Sequence, residues 1–121
     1  MTFLFLLLAL QASPSFAEDN LSDFCVKSLE ALPGKVKKDE LKTACAQAKM
    51  LDPCVSENGV RIFHYDKNAK SDVKDPKRIL VFSLIHGDEL PSGSVARAWM
   101  ERLTFIEPRN HWRVVPVLNP D

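Results

Sequence analysis

No charged side chain precedes Glu18: all 16 Lys+Arg and all 16 Asp+Glu of the 121 residues lie from that residue onward. Residues 1–17, MTFLFLLLALQASPSFA, run apolar from Phe3 to Leu10, turn polar over Gln11 to Ser15, and finish Ser15-Phe16-Ala17 before acidic Glu18-Asp19. Small residues two apart after a short apolar run fit the cleavage end of an export signal, although no Lys or Arg marks its start. The run is shorter than the roughly 20 apolar residues of a bilayer span. A short membrane anchor or a buried N-terminal helix is the competing reading. With the leader removed, 121 − 17 = 104 residues remain.

An excess of either charge is also missing, since formal net charge is +0. That excludes the clustered positive surface a nucleic-acid binder needs. Beyond the leader there is no long hydrophobic stretch. The longest, residues 79–85, is strand-sized, so no membrane partner is expected after signal cleavage and the product is expected in the periplasm or outside the cell. Cysteine is scarce, and no C-x2-C spacing occurs among Cys25, Cys45 and Cys54. A cysteine-built zinc site is thereby disfavoured, and an oxidising compartment predicts one disulfide and one free thiol, with three pairings open. About 100 residues suffice for one small core, not two.

What the chain does contain falls into two halves. Residues 18–58 read as a helical segment. Asn20 can cap a first helix with apolar positions Leu21, Phe24, Cys25, Leu29 and Leu32, ended by Gly34. Leu41, Ala44, Cys45, Ala48 and Leu51 outline a second, stopped at Asp52-Pro53. Cys25 and Cys45 both fall on apolar faces, while Cys54 competes for either. This half reads as a packing or presenting element without catalytic groups.

At Asn58-Gly59 a turn signal opens residues 59–121. Residues 60–65 alternate like a strand, with His64 expected as a surface or edge-strand histidine. Residues 66–78, mixed in charge and without aromatics, read as a solvated loop rather than a basic binding patch. A βαβ pattern follows. Residues 79–85 form a nearly continuous apolar strand, expected to be buried on both faces of a parallel sheet. His86-Gly87-Asp88-Glu89 makes a turn, and Pro91 and Ser92 open a helix. Ala96, Trp99, Met100 and Leu103 line its packing face, with Arg97, Glu101 and Arg102 directed away from it. Residues 112–118 form the next strand, placed near an edge or locally irregular because Pro116 cannot donate to a ladder.

Ligands gather at the carboxyl ends of strands in such sheets. His86 to Glu89 ends one strand and Asn119-Pro120-Asp121 ends the next, so both clusters should line one rim. An H-x-x-E on a strand-to-helix turn can aim an imidazole and a carboxylate at one Zn2+, with Gly87 permitting the bend and Asp88 available to orient the imidazole. The bland alternatives are a satisfied turn histidine and a glutamate favoured at a helix N-terminus.

The string from Ile79 to Glu89, the amphipathic helix after it, and Arg113-Val114-Val115-Pro116-Val117-Leu118-Asn119-Pro120-Asp121 together resemble the start of the catalytic domain of zinc carboxypeptidases. Within that family the likeness is greatest to the bacterial murein peptide amidase branch, and it covers residues 59 to 121. The resemblance implies an α/β fold: the N-terminal part of a carboxypeptidase-like mixed sheet with flanking helices, preceded here by a short helical segment. It implies Zn2+ as cofactor, His86 and Glu89 as two of three metal ligands, and Asn119 to Asp121 as a loop shaping the cleft. The third ligand, the general-base glutamate and the substrate-clamping arginine come later in the family, so no catalytic residue is expected within this chain. His64, His111 and Arg113 are poorly placed to substitute. The implied activity is hydrolysis of an amide in a cell-wall murein peptide. Two alternatives are a deacylase of the succinylglutamate desuccinylase and aspartoacylase group, which also uses H-x-x-E, and a non-catalytic truncated fragment.

Overall fold

The computed structural model describes residues 20–121; the leader reading of residues 1–17 lies outside them. The described chain is a small mixed α/β unit of three helices and a three-stranded sheet. Helix α1 (Leu21–Glu30) is capped by Asn20, whose side chain accepts from Asp23 N at 2.9 Å. It ends before Gly34, which instead takes a left-handed φ of +91° in the bend that follows. Helix α2 (Lys38–Cys45) stops well short of the expected Leu51, which is 61% exposed. Beyond Cys45 the chain unwinds through tight turns, with Ala48 N donating to Cys45 O, and Lys49 is free to bridge to His64. The two helices are joined by a Cys25–Cys45 disulfide, and Cys54 is a half-buried free thiol.

Strand β1 (Tyr65–Lys67) runs antiparallel to β3 (His111–Val115), which runs parallel to β2 (Arg78–Phe82), giving the order β1-β3-β2. Helix α3 (Leu90–Leu103) connects β2 to β3, so the expected βαβ unit forms. Four details of the strand reading are corrected. Residues 60–65 make isolated bridges rather than a strand, and regular pairing begins at Tyr65. Strand β2 is buried on neither face: Ile79 and Val81 on one face are half-buried, while Leu80 and Phe82 on the other are 56% and 47% exposed, with no further layer over them among the described residues. Strand β3 is central rather than near an edge, and it accommodates Pro116 by ending one residue before it. Finally, His64 is buried at 6% exposure, its backbone paired with Lys49 and its Nε2 3.7 Å from Asp66 Oδ2.

Helix α3 is apolar on more than its sheet side. Ala96, Met100 and Leu103 are buried, and Trp99, though 43% exposed, meets Trp112 of β3 edge-on at 5.8 Å. Arg97 and Glu101, expected to point away from the packing face, are also buried, at 2% and 3% exposure. The reason is a second layer: the α1–α2 hairpin covers the other side of α3. Cys25, Leu29, Leu41 and Cys45 from the hairpin share one buried cluster with Tyr65, Met100, Leu103 and Val114. Gly93 allows the layers to close, since a Cβ there would lie 2.7 Å from a Leu84 methyl and 2.9 Å from one of Leu32.

Arg97 joins the layers by hydrogen bonds. Its Nη1 donates to Leu29 O and Leu32 O, both at 2.9 Å, and its Nη2 to Pro33 O at 2.9 Å and Lys35 O at 3.2 Å. These carbonyls end α1 and the bend after it, where no helical donors remain and the helix dipole favours a cation. Glu101 lies 3.8 Å from Arg97 Nε and accepts from Lys37 N at 3.1 Å. Arg97→Met is expected to cost about 3–5 kcal/mol, because it removes donors from four carbonyls, of which only Leu29 O (from Leu32 N) and Pro33 O (from Ser94 Oγ) keep another, and leaves Glu101 without its cation. Denaturant unfolding checks this, and a loss within about 0.5 kcal/mol would remove the guanidinium from its structural role.

Burial is the main cause that lowers the pKa of His64 from its ordinary 6.5, followed by Arg113; Asp66 opposes them and Lys49 adds to the lowering. The unfolded chain therefore takes up this proton more readily than the folded one. Stability from His64 is present above pH 6.5 and declines as pH falls through that value toward the lower folded pKa. Denaturation midpoints measured from roughly pH 8 to 5 should fall more steeply for the natural chain than for His64→Gln. Parallel curves would contradict the assignment.

Candidate functional site

The carboxyl ends of β2 and β3 remain tied together beyond the regular strands. Ser83 N donates to Val115 O at 3.1 Å, Leu118 N to Ser83 O at 3.0 Å and Asn119 N to Leu84 O at 2.9 Å. The buried Ser83 Oγ donates to Pro116 O. This zipper brings the 86–89 turn beside the 119–121 loop, as the rim argument expects. A Cβ at Gly87 would sit 3.2 Å from Asn119 O and 3.5 Å from Asp121 O. Gly87 thus serves through close backbone approach; its φ is not among the left-handed ones. The left-handed residue here is Leu84, at φ 49°, buried, with its N–H donated to Ser92 Oγ at 3.0 Å. A side-chain-bearing residue in that region stores backbone strain, and in this chain it redirects the backbone from strand to turn.

On the turn, His86 Nδ1 lies 3.2 Å from Glu89 Oε1, and the two side chains are 74% and 56% exposed. Glu89 N donates to His86 O at 3.1 Å, which closes the turn and fixes the spacing of the two side chains. Glu89 is the N-cap residue of α3, yet its carboxylate makes no capping bond. Ser92 Oγ instead donates to Glu89 O at 2.9 Å. The helix start is therefore arranged without the Glu89 side chain, which is directed at the imidazole. Asp88 is exposed on the same turn, and the carboxylate that meets His86 is that of Glu89.

The donor pair can be tested for fit to Zn2+. Metal–ligand bonds of about 2.1 Å at a tetrahedral angle place two donors about 3.4 Å apart. The observed 3.2 Å is close to that edge and is equally the length of the hydrogen bond that joins the two side chains here. The set is incomplete, because among the described residues no three His, Cys, Asp or Glu side chains converge. His64 and His111 do not join it. His64 is buried beside Asp66, 3.7 Å from its Oδ2, and His111 begins β3, at the end away from the rim, where its Nδ1 accepts from Ala69 N at 3.2 Å.

Two depressions flank the sheet. A groove of about 240 Å³ adjoins the candidate turn, lined by Phe24, Leu32, Phe63, Leu90, Asn119 and Pro120 among others. A larger one of about 400 Å³ lies at the amino ends of β2 and β3, beside Arg78, His111 and Arg113. There Arg113 donates to both oxygens of Asp66, at 2.7 and 2.9 Å. That hydrogen bond lowers the Asp66 pKa and leaves Arg113 and Asp66 satisfied by each other, with Arg78 beside them. The smaller groove is the one that reaches the candidate turn, through Gly87 and Leu90.

The sequence pattern gives no hint of what holds the 119–121 loop. Asp121 Oδ1 accepts from Ser56 Oγ at 2.6 Å, and its Oδ2 from Asn58 N at 3.2 Å. The available signal was the Ser-x-Asn-Gly turn, but its partner lies more than 60 positions away. Compared with protein-family models, with curated proteins and with solved structures, the chain matches none.

Because Glu89 contributes no capping bond, Glu89→Ala is expected to change folding stability by no more than about 0.5 kcal/mol. A capping residue would cost about 1 kcal/mol. Denaturant midpoints distinguish the two, and the larger loss would return Glu89 to a structural role.

Proposed function

We propose that this chain carries part of the metal site of a zinc-dependent peptide or amide hydrolase of the metallocarboxypeptidase type, acting on cell-wall murein peptides. The observation that carries the reading is the His86–Glu89 pair: two exposed donors 3.2 Å apart, at the carboxyl end of a parallel strand, with the carboxylate not used to cap its helix. The likeness of the two motifs to zinc carboxypeptidases supplies the reaction class.

In this reading His86 Nδ1 and Glu89 hold Zn2+, while the third ligand and the general-base glutamate come from outside residues 20–121. Bound zinc would polarise the scissile carbonyl and lower the pKa of a water. The part played by the chain's own residues is positional. Gly87 and Asn119 bring the two strand ends into contact, Leu84 and Ser92 set the direction of the turn, and the apolar groove beside it excludes water from one side. The expected setting is the periplasm or the cell exterior, where an exported hydrolase meets murein. Among the described residues no helix is long and apolar enough to cross a membrane.

The test is zinc binding by the full chain in competition with a chromogenic chelator, paired with His86→Ala. The natural chain should bind one zinc weakly, as suits two protein ligands, and His86→Ala should abolish that binding. Equal binding by both refutes the ligand assignment. In a polypeptide that supplies the remaining ligand and base, hydrolysis of murein tripeptide should likewise vanish in His86→Ala. Cleavage of N-acylated amino acids but not of murein peptides would favour the deacylase alternative.

A further inference from the structure

The helical half of the chain has no counterpart in the motif argument, yet it ends in a tight turn directed at the rim. Val55 and Arg61 form an antiparallel bridge, Ser56 N donates to Val60 O at 2.9 Å and Gly59 N to Ser56 O at 3.0 Å. Gly59 takes φ +78°, a conformation that suits glycine. Val60 N donates to Ser56 Oγ at 3.1 Å, so the hydroxyl is oriented by the turn before it reaches any partner. With its oxygen occupied as an acceptor, the Ser56 proton is directed to Asp121 Oδ1 at 2.6 Å, while Asn58 N–H is donated to Oδ2 at 3.2 Å.

We propose that this turn is a clamp, with Ser56, Asn58 and Asp121 as positioning residues for the His86–Glu89 pair. A carboxylate held at both oxygens fixes the peptide on which it stands. Asp121 N also donates to Asn119 Oδ1 at 3.4 Å, so the loop is held to itself as well as to the turn. The backbone oxygens of Asn119 and Asp121 form the surface against which Gly87 packs, at 3.2 and 3.5 Å from the place a Cβ would take. Gly87 lies between His86 and the rest of the turn. Movement of the 119–121 loop therefore changes the support of the backbone that spaces His86 Nδ1 from Glu89 Oε1. The metal part of this inference rests on the zinc reading above; the mechanical part does not.

Three variants of the full chain separate the alternatives. Asp121→Ala removes the clamp without touching the Ser56–Val60 turn, Ser56→Ala removes its charge-assisted bond, and Ser56→Thr retains a hydroxyl. Two quantities are read in each: amide hydrogen exchange at residues 87–89, and zinc affinity by chelator competition. Exchange should quicken in Asp121→Ala and Ser56→Ala and stay at the natural rate in Ser56→Thr. Zinc affinity should fall roughly 10-fold in the first two, the effect expected of residues that orient ligands, and recover in Ser56→Thr. The double variant Ser56→Ala/Asp121→Ala should be no weaker than Asp121→Ala alone, because one interaction is removed in both. Unchanged exchange at residues 87–89 in Asp121→Ala overturns the clamp. If the natural chain binds no zinc but exchange quickens as expected, the clamp stands and the hydrolase reading falls.

Discussion

The buried guanidinium of Arg97 is the interaction on which the architecture depends. A three-stranded sheet with one helix has too little apolar surface to form a closed core, and an isolated pair of short helices has less. The two become stable together only if α3 can be covered on both sides. Arg97 makes that possible where a purely apolar residue would not. The end of α1 and the bend to α2 present carbonyls to a buried layer, and one planar cation donates to four of them, Leu32 O and Lys35 O among them, while Leu29 O and Pro33 O also accept from Leu32 N and Ser94 Oγ. Glu101 balances its charge and at the same time takes the Lys37 N–H at the approach to α2. The pair therefore joins three helices at a single point.

This junction constrains the rim. Leu84, the left-handed residue that redirects the chain from β2 into the candidate turn, packs against Gly93, and Leu32 from the hairpin meets the same glycine. Gly93 lies one turn before Arg97 on α3. The contact that closes the hairpin onto α3 is therefore also the contact that fixes the strand end. A groove with walls from Phe24 and Leu32 on one side and from Leu90 and Pro120 on the other follows from this arrangement. The helical half thus contributes part of the surface next to the turn that carries His86 and Glu89.

Much of this was legible from residue patterns, and the failures share a cause. The Asn20 cap, the βαβ order and the meeting of the two strand-end motifs follow from local signals: a capping side chain, a strand-length apolar run, a helical repeat. The Cys25–Cys45 link was one of three open pairings, and the choice among them is made by packing of two faces that sequence alone does not bring together. Arg97 and Glu101 were assigned to an outer face because charge on an amphipathic helix ordinarily faces water. That rule assumes one covered face, and α3 has two. Strand β2 fails in the opposite direction: a run of seven residues, apolar except for Ser83, promises burial on both faces, yet Leu80 and Phe82 stay exposed because layer count is not a property of the strand. His64 fails for the same reason, and of the two readings of Pro116 the edge position fails while the local irregularity holds, since which strand is central is decided by pairing between distant segments.

The candidate site divides along the same line. The spacing of His86 and Glu89 is local, and three residues of turn suffice to set two donors 3.2 Å apart. What holds that turn is not local. Asn119 and Asp121 come from the next strand end, and Ser56 and Asn58 from the hairpin-side turn, 65 and 63 residues from Asp121. A metal pair on an exposed turn loses affinity if its two donors move independently, because each must then be ordered when the ion binds. Ordering the turn beforehand from two distant segments lowers that entropic cost, which is largest where only two donors are present. If His86 and Glu89 hold a metal as proposed, a pair with no third donor among the described residues has the greater need of a rigid rim, and the Ser56–Asn58 turn that meets Asp121 comes from the segment without such donors.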